Sequence, residues 1–548
     1  MKLYVQILLE ISSSIMLALA IPNEFLKFGS ALLGFTSLVP HFTALESCTS
    51  LKRACFLCFF QSCLTHILSS FWLAFFKDFA VFTLGASAVG TGAIHAFSGL
   101  FFFLPKFRIS NSLIKPEQAK ILDSRSFKIF WFAAVYTVYE YIKSTGFLAY
   151  PWGTLPMSAY SLKILAQITD ITGVRGLTFL FSFVSALTAV IISDCVKFSL
   201  KKSLLLNKNT IFAAACIFFL AGVYGAFQYA KQTSPVKIMN TVFVQQNYDP
   251  WQIRSDEIAI IESQELTLKG IEDFKNQKKR PDLVVWSEGI LNYPFPEGMI
   301  HYKFYPEKNP LIPFINKNNV PVIIGAPYTV NAGEYKFYNA AVLLDKDGKL
   351  QGFHAKTHLV PFAELIPFTE YAPVRKLLKK LIGFSNGWTQ GTEYKVFPVP
   401  LHSSVNSEKP HEDESAFISI PICFEDAFGD VCAKLKKNGT EVFVNITDDS
   451  WSLTKSAEYQ HFVTAYFRAI EFRTTLVRST NSGYTVIVDP KGKIVADLPL
   501  FEKTYLSQSV PVYENISTSY MLFGEWLSLL FVAYILYVLI KITLFLNR

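Results

Sequence analysis

The stretch AFISIPICFEDAFGDVCAKLKK, residues 416–437, runs an apolar segment into Cys423 and sets two acids two and three positions later. It reads as a buried strand ending at Cys423, then a turn, then a helix over 429–437. A cysteine behind a buried strand is ordinarily packed core. A cysteine presented at a strand tip is placed as a nucleophile, and that role needs a base and a counter-charge from elsewhere in the chain.

The flanking sequence supplies the rest of a domain. VKIMNTVFVQQ (236–246) and DLVVWSE (282–288) read as strands flanking a helix across 254–277, and VPVIIGA (320–326) as a third strand. NAAVLLDKDGKLQGFHAK (339–356) is two alternating runs joined by Asp-Lys-Asp-Gly, a hairpin pattern. TEVFVNIT (440–447) is a further core strand with a helix near 456–475 after it, and YTVIVDPKGKIVADL (484–498) is a second hairpin. Strands alternating with helices define an α/β domain. Glu288 ends one strand, Lys356 another and Cys423 a third. Ligands of α/β sheets sit beyond the carboxyl ends of strands, so the three converge on one pocket. Each residue type has a chemical task there. A thiol is a weak nucleophile until a carboxylate takes its proton, and an ammonium favours thiolate and stabilises the oxyanion of a tetrahedral intermediate.

Composition places this domain beside a membrane. The chain has 548 residues, 51% hydrophobic, 15% aromatic and only 17% charged, which is too apolar for a soluble globular protein. Eight candidate spans lie at about 4–21, 28–45, 54–76, 79–104, 127–143, 174–193, 211–230 and 520–546. The second is interrupted by Pro40 and His41, the fifth carries Glu140, and the first also fits a signal peptide ending in Ala18-Leu19-Ala20. Basic loops at 50–54, 105–128 and 197–208 alternate with loops poor in Lys and Arg. With these in the cytoplasm, both termini are cytoplasmic and 231–518 lies outside. The domains are therefore 1–230 with seven helices, 231–518, and 519–548 with the eighth. The loops account for most of the net charge of +8, which is no sign of nucleic-acid binding.

The eight cysteines form no disulfide framework, since all but Cys423 and Cys432 lie in or beside spans. Cys55 and Cys58 have C-x-x-C spacing at a span entrance with no second pair nearby, so no metal or redox use is expected of them. His354 and His358 flank Lys356 without a comparable third ligand, and no metal is expected there either. APVRKLLKKLIGFSNGW (372–388) is basic and apolar at helical spacing and fits an interfacial arm or an ordinary surface helix. AYPWGTLP (149–156) puts aromatics and prolines between spans five and six, in a position to line a path for lipid. A transporter with an outer binding domain is a rival class, but Glu10, Glu140 and Glu525 are isolated rather than paired along a pathway.

VVWSEG around Glu288, HAKTHLVPFAELIPF around Lys356, PICFEDAFG around Cys423, VNITDDSW (444–451) and RAIEFRTTLVRSTNSGYTVIVDPKGKI (468–494) together resemble the carbon–nitrogen hydrolase (nitrilase) superfamily. More narrowly, with eight spans and the domain inserted before the last, nearly the full length resembles the bacterial apolipoprotein N-acyltransferases. The resemblance implies a nitrilase-like αββα sandwich inserted in an eight-helix transmembrane bundle. It implies Glu288 as general base, Lys356 as oxyanion and thiolate stabiliser and Cys423 as nucleophile. It also implies Glu364 as the carboxylate orienting the lysine, with Glu425, Trp451 and Trp251 shaping the pocket. The implied reaction is ping-pong: a phospholipid acyl chain passes to Cys423 and then to the α-amino group of a diacylglyceryl-cysteine on an apolipoprotein. No cofactor is expected, the enzyme is expected to be a monomer, and its place is the bacterial inner membrane with the catalytic domain periplasmic. A membrane-tethered amidase, with water as acceptor, would use the same triad. The sequence departs from the family pattern at Ser287 (usually Pro), Ala363 (Gly), Phe424 (often Tyr) and Ser452-Leu453 (Phe-Gly).

Overall fold

The computed structural model describes the chain apart from residues 76–80, 111–115, 250–254, 332–334, 362, 366–370, 374–375, 377–379, 381–386, 403–413 and 545–548. Trp251 and most of 372–388 therefore lie outside the described residues. The chain divides into two units: Met1–Lys231 with Thr454–Phe467 and Leu522–Arg548, and Gln232–Leu453 with Arg468–Met521.

The second unit contains two six-stranded sheets. Its strands are β1 (Lys237–Gln245), β2 (Leu283–Val285), β3 (Val322–Asn331), β4 (Tyr335–Leu344), β5 (Leu350–Ala355), β6 (Phe397–Pro400), β7 (Ser415–Ser419), β8 (Val442–Thr447), β9 (Thr475–Thr480), β10 (Val486–Val488), β11 (Ile494–Asp497) and β12 (Thr504–Val512). One sheet runs β12-β1-β2-β3-β4-β5 and the other β11-β10-β9-β8-β7-β6. Each has parallel strands at its centre (β1-β2-β3, β7-β8-β9) and antiparallel pairs outside them. Residues of alternate parity serve different layers, as a pleat requires. Met239, Phe243, Leu283, Val285 and Ile323 pack against Ile418, Val442, Val444 and Val477 between the sheets. Val242, Val244, Val284 and Trp286 face helices Glu257–Asn276 and Leu311–Asn318.

This is the expected α/β sandwich, with some local differences. The segment before Cys423 is strand only to Ser419, continued by one bridge from Ile422 to Ile446. The helix expected near 456–475 stops at Glu471, and residues 475–480, given no element in the sequence, form the buried central strand β9. β12 and β6 lie at sheet edges, and both contain proline, which edges tolerate.

The first unit is helical. Among the described residues, four helices are long and apolar enough to cross a membrane: Leu3–Ala20, Thr83–Ile109, Arg175–Lys197 and Lys208–Ala230, with a shorter apolar helix at Trp526–Ile542. Leu51–Ser69 and Arg125–Lys143 have 19 residues each but carry more polar side chains. The stretch expected to span at 28–45 is two short helices, Ala31–Thr36 and Val39–Glu46, broken just before Pro40.

The acids that looked isolated in the sequence have partners here. Glu10 meets His41, Glu140 accepts from the Leu155 N–H and the Thr178 hydroxyl, and Glu525 lies 3.7 Å from Arg175. Residues 149–156 are almost all buried, with Lys143 donating to the Trp152 carbonyl, so they present no open lipid-facing surface.

Candidate active site

Four strand ends of the second unit bring the polar residues together. β2 runs through Trp286 and Ser287 into Glu288, which is 7% exposed. β5 delivers Lys356, 1% exposed, one residue past its end. The Lys356 ammonium donates to Glu364 Oε1 at 2.8 Å and to Glu288 Oε1 at 3.3 Å. Asn339, on β4, donates one amide nitrogen to the same two oxygens, at 2.7 Å to Glu288 and 2.9 Å to Glu364. The second oxygen of Glu288 accepts from the Asp448 N–H just past β8, and that of Glu364 accepts from the Val360 N–H. Both carboxylates are thereby fixed in orientation.

Cys423 is half-buried and has φ +48°, the left-handed region that non-glycine residues rarely adopt outside strained functional turns. The tight turn Cys423–Ala427 and the helix Gly429–Lys437 follow it. Asn445 holds the turn by donating to the carbonyls of Pro421 and Cys423.

Glu425 binds this turn to the lysine strand. Its Oε1 accepts from the Thr357 N–H and hydroxyl, both at 2.6 Å, and its Oε2 from the Ile422 N–H at 2.7 Å and His354 Nε2 at 3.1 Å. Glu425 is fully buried, and Thr357 and Ile422 directly adjoin Lys356 and Cys423. Arg478, also buried, reaches Asp426 in the turn and Asp449 after β8. Trp451 is half-buried in the turn that follows β8.

The electrostatics follow from burial and these pairs. Burial pushes the Cys423 thiol well above its ordinary value, Glu288 adds to this, and Lys356 opposes it. Burial also raises Glu288, against the pull of Lys356. Burial alone would discharge Lys356, but the Glu288 and Glu364 carboxylates hold its pKa well above the usual range. For Glu425 burial is outweighed by His354 and the Thr357 and Ile422 donors, which bring its carboxyl down to about 2. The resting arrangement is a neutral thiol, a fixed ammonium and a carboxylate of raised basicity. That set can move a proton off sulfur and neutralise charge developing on an acyl oxygen.

Several of these residues carried little signal in the sequence. Asn339 and the Asp448 N–H look like ordinary strand and turn positions. Gly325, on β3, is required by close approach: a Cβ there would stand 2.5 Å from the Glu288 Cα and 2.7 Å from the Ser287 carbonyl oxygen. The departures from the family pattern also find places. Ser287 donates to Gln246, Phe424 stacks edgewise on Phe428, and Leu453 takes φ +50° where the pattern has glycine.

The second unit is of the carbon–nitrogen hydrolase class: residues 275–515 match the carbon-nitrogen hydrolase family model. Residues 13–187 match the model of the apolipoprotein N-acyltransferase N-terminal domain. The chain is 43% identical to apolipoprotein N-acyltransferase 2 of Treponema denticola over 97% of this chain and 96% of that protein. It is 38% identical to apolipoprotein N-acyltransferase 2 of Treponema pallidum over 95% of this chain and 92% of that protein. A carbon-nitrogen hydrolase of Helicobacter pylori G27 of known structure aligns with 16% identity and TM-score 0.34, over 50% of this chain and 90% of that one. The chain belongs to the apolipoprotein N-acyltransferase family.

Proposed function

We propose that the chain moves an acyl group from a membrane phospholipid, through a thioester on Cys423, to the α-amino group of a diacylglyceryl-cysteine at an apolipoprotein's N-terminus. The observation that carries this is the Lys356 ammonium held between Glu288 and Glu364, charged and in electrostatic reach of the Cys423 thiol, in a chain of this family.

In the first half-reaction Glu288 takes the thiol proton as sulfur attacks the ester carbonyl carbon. Lys356 stabilises the oxyanion. Collapse breaks the ester C–O bond, and the proton on Glu288 passes to the departing lysophospholipid oxygen. In the second, the acceptor nitrogen attacks the thioester and Glu288 removes its proton. The C–S bond breaks and the thiol is restored. Glu364 and Asn339 keep Lys356 and Glu288 aimed, and Glu425 and Trp451 shape the surrounding pocket.

Residues 231–518 form the catalytic domain on the periplasmic side of the inner membrane, and 1–230 and 519–548 supply eight crossings, the second of them a broken helix. The three basic loops, all on the cytoplasmic side and alternating with loops poor in Lys and Arg, support that orientation. A single chain suffices, because Glu288, Asn339, Lys356, Glu364 and Cys423 all come from one unit.

Mass spectrometry of Cys423 after incubation with phospholipid tests the reading. Phospholipid alone is expected to release one lysophospholipid per chain and stop at acyl-Cys423, and a diacylated peptide is expected to discharge it as an amide. Continuous fatty-acid release with no acyl-Cys423 would overturn it in favour of an amidase-like hydrolase.

A further inference from the structure

The helical unit holds a second chemically unusual cluster. Glu10 (helix Leu3–Ala20), His41 (Val39–Glu46), Cys58 (Leu51–Ser69) and His95 (Ser87–Ser110) come from four helices and are all completely buried. One ring nitrogen of each histidine and the Cys58 sulfur lie within 4.8 Å of one another.

The contacts orient one ring nitrogen of each histidine toward the other. His41 Nδ1 is 2.7 Å from Glu10 Oε2, which orients the ring with its Nε2 toward His95. The Ser98 hydroxyl lies 2.6 Å from the His95 carbonyl and 2.8 Å from His95 Nδ1, so it engages the ring nitrogen that points away from His41. The two Nε2 atoms face each other at 3.2 Å, either sharing one proton or bound to one cation.

We propose that this cluster binds a zinc ion through His41 Nε2, His95 Nε2 and the Cys58 thiolate. With Zn–N bonds of about 2.0–2.1 Å in a tetrahedral site, two nitrogen ligands lie about 3.3 Å apart, close to the observed 3.2 Å. The Glu10–His41 pair is the carboxylate–histidine arrangement that fixes a ligand's tautomer at zinc sites. Charge separates a dication from a monovalent ion. Thiolate and carboxylate together carry two negative charges, which Zn²⁺ cancels within an apolar bundle where net charge is costly. Glu10 Oε1 is buried without a hydrogen-bond partner, so a nearby cation is the natural source of compensation for that carboxylate. A proton shared by the two histidines would explain their approach but gives no role to the sulfur beside them. The ion would tie together three helices directly and a fourth through Glu10, and one of them, Val39–Glu46, has only eight residues.

The test uses the full-length protein in detergent, loaded with zinc and desalted. Elemental analysis is expected to find one zinc per chain. X-ray absorption should show nitrogen ligands at about 2.0 Å and one sulfur at about 2.3 Å. Cobalt loading should give the visible bands of a tetrahedral thiolate site. Cys58→Ser and His95→Gln should abolish stoichiometric binding, Cys55→Ser should leave it intact, and Glu10→Gln should weaken affinity about 10–100-fold. A shell of oxygen and nitrogen alone, no retained zinc, or uptake unchanged in Cys58→Ser would overturn the proposal in favour of a shared proton only. The absorption measurement needs no variant, so a misfolded mutant does not blur the result.

Discussion

Glu425→Gln tests how the nucleophile and the lysine are held in register. Four donors converge on the Glu425 carboxylate, two on each oxygen: Thr357 N–H and hydroxyl on one, Ile422 N–H and His354 on the other. An amide keeps one oxygen and turns the other into an NH₂ group, which meets two donors whichever way it is flipped. Losing two charge-assisted hydrogen bonds at about 1.5–3 kcal/mol each predicts a loss of about 3–6 kcal/mol. The protonation equilibrium gives an independent figure. A carboxyl at about 2 in the folded chain against an ordinary 4.5 corresponds to about 3 kcal/mol at 1.36 kcal/mol per pH unit. Because the folded value is depressed, this stability is present above pH 4.5 and is lost as pH falls toward 2. The variant should therefore lose most of that acid-dependent stability. Relaxation of Thr357 and Ile422 should also slow acylation of Cys423 by about a hundredfold, the scale of a 1 Å misplacement of reacting groups. Thermal melting in detergent across this pH range and quench-flow mass spectrometry of acyl-Cys423 read the two effects. A variant that melts and acylates like the parent would refute the reasoning.

Four further outcomes follow from the site. Lys356→Ala should lower acyl-Cys423 formation at least about a hundredfold and, by leaving Glu288 and Glu364 without their shared counter-charge, cost about 3–5 kcal/mol in a denaturant melt. Gly325→Ala should displace Glu288 through the 2.5 Å contact and slow acylation while circular dichroism stays unchanged. Since Glu288 is raised above 4.5, the acid limb of single-turnover acylation should titrate above that pH and be absent in Glu288→Gln. Leu453→Gly should stabilise the protein by about 1 kcal/mol, because an L side chain at φ +50° carries a steric penalty that glycine lacks.

Periodicity made most of the α/β domain legible. β1, β4, β5 and β8 fall where alternation or an apolar run places them, and the helix Gly429–Lys437 begins and ends as its pattern predicts. β9 was hidden because a fully buried strand lacks period-two alternation, and its Thr475, Arg478, Ser479 and Thr480 look like a polar loop until the structure places partners around them. The break at Thr36–Val39 was signalled by Pro40, but only as an interruption within a span.

The sequence by itself determined an apolar multi-helix region, an α/β domain, and the three residues Glu288, Lys356 and Cys423 at strand ends, since burial periodicity and residue chemistry are local properties of the chain. The tertiary structure alone decided that one Asn339 amide serves both carboxylates, that the Asp448 N–H holds Glu288 from 160 residues away, and that Cys423 sits in a left-handed turn clasped by Glu425. It also set Cys58 beside two histidines on other helices. The physical reason is that hydrogen bonds and ligand sets depend on which distant segments meet at angstrom distances, and no local pattern of residues encodes that meeting.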